Sequence, residues 1–356
     1  MSDRGYLGTT PLGAERDDDA YLDFVEGARV FTLTGLSDAM RRRGEAAIAE
    51  AEQALGRKLT AIEEIKAVLD PIPVVASRNR FSRTVQEMMW QGVIDTYRKR
   101  EPELLRELAL ADRLGPGSVE YDPNFPYPDY FSRVDFHIQP GGYFADPLAG
   151  YIYHYGTKVF YTGRNNNDDI HRELVEATPT PEDGRIERIL DLACGVGQAA
   201  TWFKERFPQA EVWGLDLSAP MVRYAHKRAV DLGLEVHFTQ RLAEDTKFPN
   251  NYFDIVFVYL LFHEVPWPVS QQIVREVHRI LRPGGVFAIF DFPSRPGQQL
   301  PPLAAYARSF DSHDNSEPYA TEFVQADFHG ELRRYFRYLN ENWRPEIWIP
   351  NRVAIK

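Results

Sequence analysis

From Ile186 onward, segments that read as strand and segments that read as helix alternate without a break in rhythm. RILDLA is followed by GQAATWFKERF, EVWGLDLS by APMVRYAHKRAVDLG, then come EVHFTQ and FDIVFVYLLF, then VSQQIVREVHRIL stopped by RPGG, and last VFAIFDF. Ser218 stands where a helix N-cap belongs. This order predicts a doubly wound, mostly parallel sheet, in which a ligand lies over the carboxyl ends of the strands where the strand order reverses. The first strand of the series, ILDL, ends in the loop ACGVGQAA, which is where such a ligand would meet the chain.

Two readings of that loop compete. Gly195, Gly197 and Ala200 satisfy the loose pattern G-x-G-x-x-A, which sets a pyrophosphate on a helix N-terminus in nicotinamide-dependent oxidoreductases. Asp191, four residues before the first glycine, argues otherwise, because a fixed carboxylate there repels a pyrophosphate and attracts an ammonium group. Asp216 ends the next strand, where a carboxylate accepts hydrogen bonds from both hydroxyls of a ribose. A ligand with an amino acid at one end and an adenosine at the other satisfies both carboxylates.

The stretches ILDLACGVG, VWGLDLS, AEDTKFPNNYFDIVFVYLLFHEV and VHRILRPGGVFAIFDF follow one another at characteristic spacings. Through them residues 185–292 resemble class I S-adenosylmethionine-dependent methyltransferases, in the group of ubiquinone/menaquinone-type and small-molecule enzymes. The resemblance implies an α/β fold: a doubly wound Rossmann-like methyltransferase sheet, here with an N-terminal helical domain. It also implies S-adenosyl-L-methionine as cofactor. Asp191, Ala193 and the backbone of Gly195 and Gly197 would face its methionine end, Asp216 its ribose, Leu217 and Met221 its adenine. Ala243 and Glu244 would close over the adenine edge, and Tyr259 would lie near the sulfonium. The family often carries an aspartate one residue before that alanine, and this chain has Leu242, so Glu244 or Asp245 would have to substitute.

For transfer to a phenol or an acidic carbon a general base helps. His263, just past the fourth strand of the series, is the candidate, with Glu264 to orient it or act itself, and Asp291, at the end of the fifth, either facing the acceptor or serving as a cap. A surface or packing role for His263 is equally compatible with the sequence. HEVPW lacks the second histidine of a zinc H-E-x-x-H site, and the spacing of His137, His154 and His263 demands no metal. The acceptor wall is expected from the segment 119–165, crowded with Tyr, Phe, Pro and Gly and read as irregular structure with a hairpin. His137, Tyr143, Tyr153 and His154 are its candidate substrate residues, beside Tyr151 and Tyr155, and they suit a small hydrophobic or aromatic acceptor.

The rest of the chain bounds the possibilities. Residues 1–20 read as a flexible tail, 21–118 as a helical domain with Ser37 and Thr60 as candidate caps, 119–165 as a lid or connecting segment, and 166–356 as the cofactor-binding domain. The net charge is −11, so nucleic acid is not an expected partner. Cys194 is the single cysteine, so no intrachain disulfide is possible. No membrane span is expected, and a cytoplasmic homodimer is the expected setting. A non-catalytic cofactor-binding protein and a protein-directed methyltransferase remain open from sequence.

Overall fold

The computed structural model describes residues 15–342 and 349–356. Residues 1–14 of the expected tail lie outside them. The remainder of that tail is helical: α1 runs Arg16–Phe31, with Asp17, Asp18 and Asp19 in its first turn, where carboxylates favour the positive end of the helix dipole. A π-helical turn, Thr32–Leu36, carries α1 directly into α2 (Ser37–Leu55). Ser37 therefore caps nothing, and its hydroxyl donates instead to the Thr32 carbonyl. Nor does Thr60 cap α3 (Ile62–Leu69), whose N-cap is Ala61. Pro73, with no N–H to lose, opens α4 (Pro73–Arg98), and α5 spans Glu101–Ala111.

The aromatic segment departs most from expectation. After β1 (Ser118–Glu120) and a single turn, α6 (Asp129–Ser132), it forms a twelve-residue helix, α7 (Ala149–Phe160), where a hairpin was expected. The reason is burial: ten of its residues are buried, so no polar face marks the helical period, and its tyrosines and glycines imitate strand and turn. Gly156 lets the Trp90 ring of α4 approach, since a Cβ there would stand 2.3 Å from it. Helix α8 (Asp169–Ala177) leads into the sheet.

The sheet follows the predicted alternation: β2 (Arg188–Leu192), α9 (Gln198–Arg206), β3 (Glu211–Asp216), α10 (Ala219–Leu232), β4 (Val236–Gln240), β5 (Phe253–Tyr259), α11 (Trp267–Ile280) and β6 (Leu281–Phe290). Ser218 caps α10 as expected, accepting from the Met221 N–H at 3.2 Å. Helices α12 (Pro302–Asp314), α13 (Ala320–Gln325) and α14 (Phe328–Tyr335) precede β7 (Tyr338–Asn342) and β8 (Asn351–Ile355). Strand order is β1-β4-β3-β2-β5-β6-β8-β7, with β8 antiparallel to β6 and β7 antiparallel to β8. The order reverses between β2 and β5, which sets the switch point at the Asp191 loop and the end of β5.

Two apolar clusters cover the two faces of the sheet, and a third joins the helical half to it. In that third cluster Val93 and Tyr97 of α4 and Tyr151 and Tyr155 of α7 pack with Val196, Met221 and Tyr224. Among the described residues no helix is long and apolar enough to cross a membrane.

Candidate active site

The loop after β2 is held in an unusual backbone shape. Ala193, Gly195 and Gly197 all have positive φ, at 61°, 50° and 72°. The two glycines serve different ends. A Cβ on Gly195 would meet nothing within 4 Å, whereas one on Gly197 would stand 2.8 Å from the Phe238 ring and 2.9 Å from Ala225. Gly195 lines the central cavity, and Gly197, expected beside it, does not.

Asp216 pins this loop. Its Oδ2 accepts from the Gly195 N–H at 2.8 Å and its Oδ1 from the Ser218 N–H at 2.9 Å. Asp191 Oδ2 accepts from the Ala200 N–H, in the first turn of α9, at 2.9 Å. Burial pushes the Asp191 carboxyl up to about 8, with Asp216 adding and the Ala200 N–H opposing. Burial raises Asp216 to about 6, opposed by the Ser218 and Gly195 amides. Two buried carboxylates that resist ionisation in the empty protein form a receptor for positive charge.

The cavity above them has a volume of about 310 Å³. Asp191, Ala193, Gly195, Asp216, Leu217, Met221, Ala243, Glu244 and Tyr259 line one part of it, as expected. Tyr130 donates to Glu244 Oε1 at 2.7 Å, and Tyr161 and Tyr259 pair through their hydroxyls at 3.3 Å. His137, Tyr143, Tyr153, His263 and Glu264 line the other part, with Phe292 and Glu317. No Lys or Arg of the described residues lines the cavity.

His263 is held from behind. Its Nδ1 stands 2.7 Å from Asp291 Oδ1. Asp291 also accepts from the backbone N–H groups of Leu261, Phe262 and Phe292 at 2.7–3.0 Å. Asp291 is thus a fixed partner that does not reach the cavity, a correction to its expected place facing the acceptor. It orients His263 with Nε2 as the remaining ring nitrogen. Burial pulls the imidazole down, but Asp291, then Glu264 and Glu317, hold it above its ordinary value.

His137 is gripped on every side. Its Nε2 lies 3.3 Å from Glu264 Oε1 and its Nδ1 3.3 Å from Glu317 Oε1. Its carbonyl accepts from Gln86 at 2.7 Å and Trp90 at 2.8 Å, both on α4. His137 and the β-branched Ile138 both have left-handed φ, 52° and 53°, a backbone cost of about 1–3 kcal/mol each that surrounding contacts must sustain. Burial would lower this imidazole, but Glu264 and Glu317 overcome it and raise the group to about 10.

His154 is not a site residue. It is buried away from the cavity, with Nδ1 2.7 Å from the Tyr224 hydroxyl and Nε2 3.6 Å from Asp168, and burial drives it down to about 4. Asp168 forms a fully buried ion pair with Arg228, whose Nη1 donates to the Val196 carbonyl at 2.7 Å, so this network braces the glycine loop from below. Tyr151 and Tyr155 are likewise core residues. Phe292, Glu317, Tyr130, Tyr161 and His171 line the cavity and were not anticipated. The signal for Tyr161 was available in the aromatic segment, but none existed for Glu317.

A Rossmann-like sheet whose β2 and β3 end in carboxylates around a glycine loop defines a nucleoside-cofactor domain. Residues 189–285 match the family described as "Methyltransferase domain". A demethylmenaquinone methyltransferase of Thermus thermophilus is 39% identical over 110 residues, 31% of this chain and 49% of that protein. A ubiquinone/menaquinone biosynthesis C-methyltransferase of Stutzerimonas stutzeri is 30% identical over 161 residues, 44% of this chain and 58% of that one. The chain thus spans about half the length of the curated relatives it matches. Among solved structures, a Haemonchus contortus phosphoethanolamine N-methyltransferase in complex with S-adenosyl-L-methionine overlaps 52% of each chain at 16% identity, with a TM-score of 0.41.

Proposed function

We propose that the protein transfers a methyl group from S-adenosyl-L-methionine to a small acceptor with an apolar or aromatic body. The observation that carries this is the cavity at the switch point: buried carboxylates at the ends of β2 and β3, an aromatic wall opposite, and no lysine or arginine between. Bound there, S-adenosylmethionine would supply an electrophilic methyl on a sulfonium. Asp191 and the Gly195 backbone would hold its amino acid end, Asp216 the ribose hydroxyls, and Leu217, Met221, Ala243 and Glu244 the adenine. The aromatic wall aligns the acceptor and excludes water, which is most of what an in-line displacement asks of its enzyme. His263 Nε2, with Nδ1 fixed on Asp291, takes the acceptor's proton where one must leave. A pyrophosphate is poorly received by the same carboxylates, so NAD is not the expected ligand.

Calorimetric titration with S-adenosylhomocysteine and, separately, NAD tests the assignment. Binding of the former and not the latter is expected, and the reverse would sink it. The affinity is also expected to depend on pH. Asp191 must ionise to meet the ligand's ammonium group and titrates at about 8 when the site is empty. S-adenosylhomocysteine should therefore bind with proton release, its affinity rising up to about tenfold per pH unit from roughly pH 6 and levelling above about 8. The same raised carboxyl contributes stability to the empty protein that is present at acid pH and lost as pH rises through about 8. An affinity flat between pH 6 and 8, in buffers of differing ionisation enthalpy, would show that Asp191 carries no such charge.

Asp291→Asn tests the base. Removing the charge should lower the His263 pKa, moving the rising limb of the rate profile to lower pH. Loss of orientation should lower kcat by about 10²–10⁴-fold. A full-rate variant with an unmoved limb would leave His263 a packing residue.

A further inference from the structure

Behind the cavity just described lies a second, of about 320 Å³, between α1, α4 and α12. The two share one wall, made by Phe160, Phe292 and Glu317. The first cavity has no lysine or arginine, whereas the second has four arginines: Arg29, Arg78, Arg83 and Arg308. Arg83 is spoken for, with Glu87 at 2.8 Å and Asp314 at 4.0 Å. Arg29 and Arg78 form no ion pair among the described residues, and their hydrogen bonds go to neutral groups. Arg29 donates to the Phe160 carbonyl at 2.9 Å and to Gln86 at 3.2 Å, Arg78 to Ser37 at 3.4 Å and to Asn79 at 3.3 Å. Arg308 lies against Phe292, its guanidinium carbon 4.5 Å from the ring centre. Its Nη1 is buried and makes no hydrogen bond, standing 3.8 Å from Asp311 and 4.0 Å from Glu317.

The carboxylates that line this cavity lie nearest Arg83 and Arg308 and leave Arg29 and Arg78 without an ion pair among the described residues. Glu317 is engaged by His137, and Asp314 lies beside Arg83. Asp311, though attracted to Arg308 and Arg78, is buried next to Glu317 and is pushed up to about 6. Burial also works against the charge on Arg29, as does the neighbouring Arg78, though Tyr161 opposes them. Arg29 and Arg78, the two guanidinium groups here without an ion pair among the described residues, form with Arg308 a receptor for an oxyanion, which guanidinium groups meet with paired N–H donors. The π-helical turn bends the α1–α2 junction so that Thr32 and Leu33 line the same cavity, and such turns recur at binding sites.

We propose that the second cavity holds the carboxylate or phosphate group of the methyl acceptor, which is therefore an organic anion whose apolar body reaches across the shared Phe160–Phe292 wall toward His263. This rests on the methyl-transfer reading above. The polar side of the wall is built to register an occupant: Gln86 receives Arg29, donates to Asn315 at 2.6 Å and to the His137 carbonyl, and Asn315 donates to Glu317 at 2.7 Å.

The test titrates the full chain, with S-adenosylhomocysteine present, with benzoate, phenyl phosphate, the neutral benzamide and inorganic phosphate. Binding is followed calorimetrically and by thermal stabilisation. Benzoate or phenyl phosphate, depending on which oxyanion fits, should bind at least about tenfold tighter than benzamide. Arg78→Gln and, independently, Arg308→Gln should erase that preference while S-adenosylhomocysteine affinity is kept. Equal binding of benzamide, an unchanged preference in both variants, or inorganic phosphate matching phenyl phosphate would overturn the proposal. Loss of S-adenosylhomocysteine binding in the wild type with the anion preference intact would instead defeat the methyl-transfer reading and leave the anion cavity standing.

Discussion

Asp216→Ala is expected to lower the affinity for S-adenosylhomocysteine by about 10²–10⁴-fold, taking roughly 1.5–3 kcal/mol for each of two charge-assisted hydrogen bonds to the ribose. The carboxylate also fixes the loop on which the amino acid end would rest, through the Gly195 and Ser218 amides. Removing it frees both amides, so the loss should exceed that of Asp216→Asn, which keeps one oxygen acceptor. Titration of both variants separates the two contributions. A variant lacking the side chain that still binds within tenfold of wild type would place the ribose elsewhere. Because Asp216 is buried and destabilised as an anion, the empty variant should not lose stability to match its loss of binding.

The largest expected effect on stability comes from a single methyl group. Gly150 sits where α7 crosses α10, and a Cβ there would stand 2.4 Å from Tyr224 Cβ and 2.9 Å from the Pro220 carbonyl. Neither is the free end of a flexible side chain, so the helices must part. Alanine improves helix propensity by about 1 kcal/mol, but overpacking of this severity should outweigh it and leave a net loss of about 2–3 kcal/mol. Gly27→Ala is the matched control: it lies in α1, exposed, with nothing within 4 Å, and should gain from propensity alone. Thermal unfolding of the pair checks this, with Gly150→Ala several degrees lower. Equal melting temperatures would mean that α7 does not pack on α10 as described.

The strands and helices from Ile186 to Phe292 were legible because each carries its own period and its own stop, whereas the antiparallel β7 and β8 that extend the sheet were not read. Pro283 and two glycines end α11, and Ser218 opens α10. Asp191 and Asp216 were legible because a carboxylate at a strand end beside a glycine loop has few other uses. Helix α7 was not legible, since a helix buried all round has no polar stripe to reveal its period. His154 was misplaced for the same cause: in a segment read as irregular structure nothing showed that it lies on the buried face of a helix. The capping role of Asp291 was open in the sequence, but its pairing with His263 was hidden, because that histidine lies 28 residues away. Glu317 and the arginine cavity arise where α12 meets α4, and no local pattern announces a contact made over some 230 residues of chain.

The posture of His137 has a consequence for how such a protein diversifies. Its carbonyl belongs to α4, one ring nitrogen to the turn after β5, and the other to the segment between α12 and α13. The residues proposed for the cofactor end, by contrast, all fall within the 189–285 segment that matches the methyltransferase family. On the proposed reading, donor and acceptor would thus be held by separable parts of the chain, and changes in α4, the aromatic segment or the α12–α13 turn would alter what is methylated while leaving the donor's seat in place.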